Sequence, residues 1–234
     1  MSIEAIAFDA GYTLLRPAQK DWFFPAKLFE YVDRRKWDAL DPEIYRAAYK
    51  AGYDYLDVIH DRVKTEEEEY WQFFGFYKAF SSVATGLGMT DAVCRALAWD
   101  HTYNDGKFIF YDDVKPALSK LKSQYRLGVL SDTWPSLDRI YANYGIRDKF
   151  EVFVLSCDVG VFKPDPKIYR ALIDGFGISP EKILFVDDLV KNLDGARACG
   201  ISTLQILRRD FPTGDHPAVR DLAGVARYLE SERR

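Results

Sequence analysis

Two hydrophobic periodicities divide the chain. Residues 3–8, IEAIAF, are nearly continuously apolar, and the run ends in a charge, Asp9, and a tight turn, Ala10-Gly11-Tyr12. A short apolar run closed by turn residues predicts a buried strand. Runs of the same kind recur at 127–130, ending at Ser131, and at 183–186, ending at Asp187 and Asp188. FEVFVLSCDVG and ISTLQIL read as further strands. Between and after them lie stretches with helical spacing: DDVKPALSKLKSQ, SLDRIYANYG, DPKIYRALIDGFG, NLDGARACG and DLAGVARYLE. Strands separated by helices predict a parallel sheet with crossovers.

From about residue 21 to 105 the pattern is helical throughout. FFPAKLFEYVDRRKW comes first, then DPEIYRAAYKAGYDYLDVIHDRV with Asp41 and Pro42 as N-cap and first helical residue. TEEEEYWQFFGFYKAFSSVATGLG opens with Thr65 and Glu68 at capping-box spacing, and TDAVCRALAWDHTYN is capped by Thr90. The run Glu66 to Glu69 puts negative charge where a helix N-terminus favours it. Tyr70, Trp71, Phe73, Phe74, Phe76 and Tyr77 cover more than one helix face, which predicts a core. The expected fold is α/β: a Rossmann-like parallel sheet from residues 1–15 and 106–234, with an all-helical cap, a four-helix bundle, inserted at 16–105.

Composition narrows the class. The net charge of -4 argues against a nucleic-acid partner, which calls for a basic face. No apolar run approaches the roughly 18 residues of a membrane span. Glu4 and the lack of a basic stretch ahead of the first apolar run predict no signal peptide. Cys94, Cys157 and Cys199 are odd in number and widely spaced, which suits reduced thiols and a cytoplasmic setting. No Cys/His spacing matches a zinc site. Monomer and homodimer are both open.

The candidate chemistry lies at the strand ends. Asp9, Ser131-Asp132 and Asp187-Asp188 each close a strand, so they are expected along one edge of a single sheet, where open α/β proteins bind ligands. Lys163, in VFKPDPKIY, lies in the loop between the second and third. Singly, each has an ordinary reading: a turn residue, a helix cap, a surface lysine. Four in order outweigh four coincidences.

These stretches resemble the four motifs of the haloacid dehalogenase-like superfamily. FDAGYTL is similar to the first, LSDT to the second, Lys163-Pro164 to the third and FVDDLVKN to the fourth. Residues 160–207 look like the phosphatase-type branch that includes the N-terminal domain of soluble epoxide hydrolases. The resemblance implies a nucleophile, Asp9, that attacks phosphorus to form an aspartyl-phosphate on a small phosphorylated substrate. It implies Mg²⁺ held by Asp9, the Gly11 carbonyl and one of Asp187 and Asp188, with Asp188 favoured as the direct ligand. Asp187, held by Asn192, and Thr13 would support these ligands. Ser131, Lys163 and the backbone N–H groups of Ala10, Gly11 and Asp132 would receive the phosphoryl group.

The pattern breaks at Gly11. Phosphatases of the family usually carry a second Asp there, which protonates the leaving oxygen and then activates water. Three readings follow. The chain is a slower or choosier phosphatase favouring good leaving groups, with Tyr12 beside the site either as an acid or as a turn aromatic. It cleaves phosphonates, a route that needs a cap lysine and for which Lys20, Lys27, Lys50 and Lys78 are available, or it cleaves carbon–halogen bonds, which needs no metal. Or it is a weakened module that binds a phospho-ligand or a protein. The first is preferred, because a decayed site has no reason to keep every other part. Of the histidines, His60, His101 and His216, only His101 beside Trp99 and Tyr103 is kept as a substrate contact.

Overall fold

The computed structural model describes residues 3–19, 21–59 and 63–231. Lys20 and His60 therefore lie outside the described residues. In chain order the elements begin with β1 (Ala5–Phe8), β2 (Leu15–Pro17), α1 (Leu28–Tyr31), α2 (Arg34–Asp38), α3 (Pro42–Ile59), α4 (Glu66–Val83), α5 (Asp91–Tyr103), β3 (Phe108–Phe110), α6 (Val114–Lys122) and β4 (Arg126–Ser131). They continue with α7 (Ser136–Tyr144), β5 (Val152–Leu155), α8 (Ser156–Val159), α9 (Pro166–Phe176), β6 (Ile183–Asp187), α10 (Val190–Ala198), β7 (Ser202–Ile206), β8 (Ala218–Val219) and α11 (Leu222–Ser231). The chain forms two compact units. One gathers Met1–Arg16, Ile109–Thr133 and Asp138–Arg234; the other gathers Pro17–Phe108 and Trp134–Leu137. Among the described residues, no helix is long and apolar enough to cross a membrane.

The first unit is built on a six-stranded sheet of order β5-β4-β1-β6-β7-β8, all pairs parallel. β1 and β6 are buried at every residue, as is β4 apart from Arg126, because crossover helices cover both faces of a parallel sheet. Ala5, Ala7, Leu130, Phe185, Ile168, Leu172 and Phe176 share one apolar cluster between sheet and helices. Strand order reverses at β1, whose neighbours β4 and β6 come much later in the chain. That reversal leaves a crevice at the carboxyl ends of the three central strands.

The second unit is helical. Phe73, Phe76, Tyr77 and Phe80 of α4 are fully buried and pack with Phe24, Leu28, Ala48, Leu56, Cys94 and Leu97. The capping box at Thr65 forms as its spacing predicts, with reciprocal bonds to Glu68. Asp41 likewise accepts from the backbone of Glu43 and Ile44 at the start of α3. The stretch expected as one first helix is two, α1 and α2. The chain turns extended at Val32 and Asp33, and the Asp33 carboxylate caps a new helix through the N–H groups of Arg35 and Lys36. His101 is a core residue rather than a substrate contact: it is buried, stacks on Phe73 at 3.5 Å between centroids, and bonds the Trp22 carbonyl at 3.1 Å.

Candidate active site

Register brings the strand ends together. Phe8 pairs with Val129 of β4 and with Val186 of β6. Asp9 and Asp187 each stand one residue beyond that level and Ser131 two, on strands spaced by about 4.8 Å. The Asp9 backbone is fixed by its N–H to the Val186 carbonyl, 2.9 Å. The chain then folds back at once: the Ala10 carbonyl accepts from Thr13, Leu14 and Leu15, and the Tyr12 N–H donates to Leu15 at 2.6 Å. Tyr12 takes the left-handed region, φ 50°, to make this turn.

Lys163 reaches into the crevice from the loop before α9. Its Nζ lies 2.6 Å from Asp9 Oδ1 and 2.8 Å from Asp187 Oδ2, and the side chain is almost wholly buried. Asp132 positions this loop, accepting the Lys163 backbone N–H at 2.9 Å. Asp187 is saturated: besides Lys163 it accepts from the Leu189 N–H at 2.7 Å and from Asn192 Nδ2 at 3.1 and 3.0 Å. Asn192 is in turn set by Tyr169, whose hydroxyl donates to its carbonyl at 2.7 Å. By contrast, among the described residues no protein donor meets the buried carboxylate of Asp188, and the buried Ser131 hydroxyl has no protein partner. Thr13 Oγ1 is buried without a partner as well.

The charges do not balance. Asp9, Asp187 and Asp188 bring ligand oxygens within 4.8 Å of one another, and the Lys163 ammonium pairs with the first two. Burial, and then the negative charge of Asp187, push the Asp9 carboxyl up to about 7, against the pull of Lys163. Burial, then Asp187 and Asp9, push Asp188 up to about 8. Burial disfavours the Lys163 charge, but Asp187, Asp9 and Asp132 outweigh it and hold the ammonium well above its ordinary range. An all-oxygen set with surplus negative charge fits a hard divalent cation such as Mg²⁺.

The structure thus brings together Asp9, Ser131, Asp132, Lys163, Asp187, Asp188 and Asn192, with Ala10, Gly11, Tyr12 and Thr13 in the turn after Asp9. Three contributors escaped sequence reasoning. The Asp132 carboxylate serves the Lys163 backbone N–H rather than a helix end. Arg209 and Phe211, just past β7, pack on the Tyr12 ring. A charged and aromatic cluster directly after a strand in the same sheet was the available signal.

Comparison with known proteins places this geometry. The model of the haloacid dehalogenase-like hydrolases matches residues 3–200. A glyceraldehyde 3-phosphate phosphatase from Methanopyrus kandleri is 34% identical over 253 aligned residues, covering 98% of this chain and all of that protein. Among solved structures, an HAD phosphatase from Thermococcus onnurineus aligns with a TM-score of 0.63 at 22% identity, over 99% of this chain and 100% of that one. The L-2-haloacid dehalogenase of Xanthobacter autotrophicus aligns at 0.66 and 20% identity, over 97% and 98%. Two chemistries therefore share this fold, and side chains must decide between them.

Proposed function

Because the chain belongs to the haloacid dehalogenase-like hydrolase family, we propose that it is a Mg²⁺-dependent phosphatase of a small phosphorylated metabolite, with Asp9 as nucleophile and residues 16–105 as the substrate-selecting cap. The observation that carries this reading is the crowding of three buried carboxylates, Asp9, Asp187 and Asp188, of which the Lys163 ammonium pairs with only the first two. Displacing a halide needs only a nucleophile; surplus buried carboxylates fit a cation and an anionic substrate. The full-length similarity to a named phosphatase supports the same choice.

In this reading Mg²⁺ would be held by Asp9, the Gly11 carbonyl and Asp188, and when bound it supplies the positive charge that lets two anions meet. Asp187, saturated by Lys163, Leu189 and Asn192, supports these ligands from behind. An Asp9 oxygen attacks phosphorus and the bond from phosphorus to the leaving oxygen breaks. Water then attacks the aspartyl-phosphate at phosphorus, releasing inorganic phosphate and returning Asp9. Lys163 orients the Asp9 carboxylate and stabilises charge on the transferring group. Ser131 donates its hydroxyl to a phosphoryl oxygen, together with the N–H groups of Ala10, Gly11 and Asp132. Gly11 offers the leaving oxygen no proton, so substrates with good leaving groups, such as acyl or sugar 1-phosphates, are favoured.

The test is phosphate release from phosphoesters and acyl phosphates, with and without Mg²⁺. Asp9→Asn is expected to lower kcat by about 10⁴-fold or more. Metal-independent release, or release retained in Asp9→Asn, would overturn the reading.

A further inference from the structure

The carboxyl end of β7 leads into a loop, residues 207–217, that this chemistry does not use. The loop is firmly built. The buried amide of Gln205 donates to the Asp188 and Pro212 carbonyls, both at 3.0 Å, and accepts from the Gly214 N–H at 3.2 Å. His216 is buried between Thr203 at 2.8 Å and Asp194 at 3.2 Å. One amide thus ties the loop to the backbone of a candidate metal ligand.

Two successive arginines in this loop meet the turn after Asp9. Arg208 is consumed: it donates to the Thr13 carbonyl at 3.3 Å and to Asp113 at 2.8 Å. Arg209 is not. Its guanidinium carbon lies 3.4 Å from the Tyr12 ring centroid and 3.7 Å from that of Phe211. The two rings meet edge to face at 77° with centroids 6.3 Å apart, so the guanidinium sits in the corner between them. Among the described residues no carboxylate pairs with it, although its charge is felt at Asp188. Tyr12 presents its ring from a left-handed backbone, a conformation that non-glycine residues seldom adopt. A cation packed on two rings, with its planar N–H fork unclaimed among the described residues, is pre-organised for a bidentate oxyanion.

The surroundings say why such a cation is useful. The neighbouring carboxylates repel any substrate that carries negative charge beyond its phosphoryl group. We infer that Arg209 is a specificity-determining residue that receives a second anionic group, a carboxylate or a further phosphate, on the substrate of this site. The inference rests on the phosphatase reading and names the substrate class within it: phosphorylated acids or bisphosphates rather than phosphoesters with neutral tails.

Binding tests it without turnover. Calorimetric titrations in Mg²⁺ would use 3-phosphonopropionate, 1,3-propanediphosphonate and propylphosphonate, whose tails are carboxylate, phosphonate and neutral. The native chain is expected to bind at least one charged-tail probe about 10-fold or more tightly than propylphosphonate, and the better of the two names the second group. Arg209→Gln should erase that preference and Arg209→Lys should restore part of it. No preference in the native chain, or equal weakening of all three probes by Arg209→Gln with no rescue by lysine, would overturn the inference and leave Arg209 a structural brace. If the phosphatase reading alone fails, the native chain releases no phosphate while the contrast between probes persists.

Discussion

Among the described residues, each unit of the molecule buries one lysine against carboxylate, and the two clusters differ in a way that separates a site from a strut. In the helical unit, Lys107 lies 3.2 Å from Glu69 and 2.9 Å from the Ser136 hydroxyl. Both Glu69 oxygens are occupied, one by Lys107 and Ser136 Oγ, the other by the Ser136 backbone N–H at 2.9 Å. A positive charge meets a negative charge here, and both carboxylate oxygens have donors. In the sheet unit, Lys163 makes equally close contacts, yet it serves Asp9 and Asp187 with Asp188 alongside, and Asp9 and Asp188 are pushed up towards neutrality. A buried ion pair is therefore no mark of function by itself. Uncompensated charge at the carboxyl edge of a sheet is one, because folding alone gives no reason to keep it.

The largest test of this contrast adds a carboxylate where the site lacks one. The resemblance to the family's phosphatases implies a general acid at the position that Gly11 occupies. Gly11 does not take a positive φ, so its backbone conformation does not require glycine. Gly11→Asp is expected to raise kcat on phosphoesters with poor leaving groups by about 10²–10⁴-fold, with little change on acyl phosphates, whose leaving groups need no proton. Steady-state kinetics on matched substrates would check it. A uniform change across both classes would mean that the added carboxyl does not reach the leaving oxygen.

Breaking the other cluster should act on stability instead. Glu69→Ala strands the Lys107 ammonium in the interior and removes the acceptor for the start of α7. The expected loss is about 3–5 kcal/mol, read by urea unfolding. Replacing both partners, Glu69→Leu with Lys107→Met, should recover much of it, since the pair offsets its own desolvation poorly. If the single variant costs under about 1 kcal/mol, the cluster is not the strut described.

A smaller effect probes how Lys163 is placed. A Cβ added to Gly195 of α10 would lie 2.7 Å from Pro164 Cβ and 2.8 Å from the Tyr169 hydroxyl. Gly195→Ala therefore pushes on the residue next to Lys163 and on the tyrosine that sets Asn192. It should cost about 1–3 kcal/mol by overpacking and lower kcat/KM more than KM alone explains. None of this was legible in NLDGARACG, where Gly195 reads only as a weak point in a helix. The same boundary runs through the whole molecule. Strand ends, helix caps at Asp41 and Thr65, and the order Asp9, Ser131, Lys163, Asp188 are local patterns, and they were readable. The break at Val32 and Asp33, the bond from Asp132 to Lys163, the grouping of 134–137 with the helical unit, and the packing of Arg209 on Tyr12 depend on partners far away in sequence. No periodicity encodes them.

The smallest effect again contrasts the two clusters, through a histidine. Burial, and then the charge of Lys107, hold His101 well below the ordinary histidine range, so the folded protein keeps it neutral. In the unfolded chain it titrates near 6.5. Below that pH the unfolded state binds the extra proton, and stability falls as pH falls. Between pH 7 and 5.5 this single group should remove roughly 1 kcal/mol. His101→Phe keeps the stacking on Phe73 but loses the bond to the Trp22 carbonyl, so it starts lower at pH 7 and should show a slope shallower by that amount. Subtracting the two urea-unfolding profiles isolates His101 from the raised carboxyls of the sheet unit, whose protonation acts with the opposite sign because the folded state gains those protons first. Parallel profiles would mean that His101 takes up a proton in the folded state, and that the helical unit tolerates a second cation beside Lys107 after all.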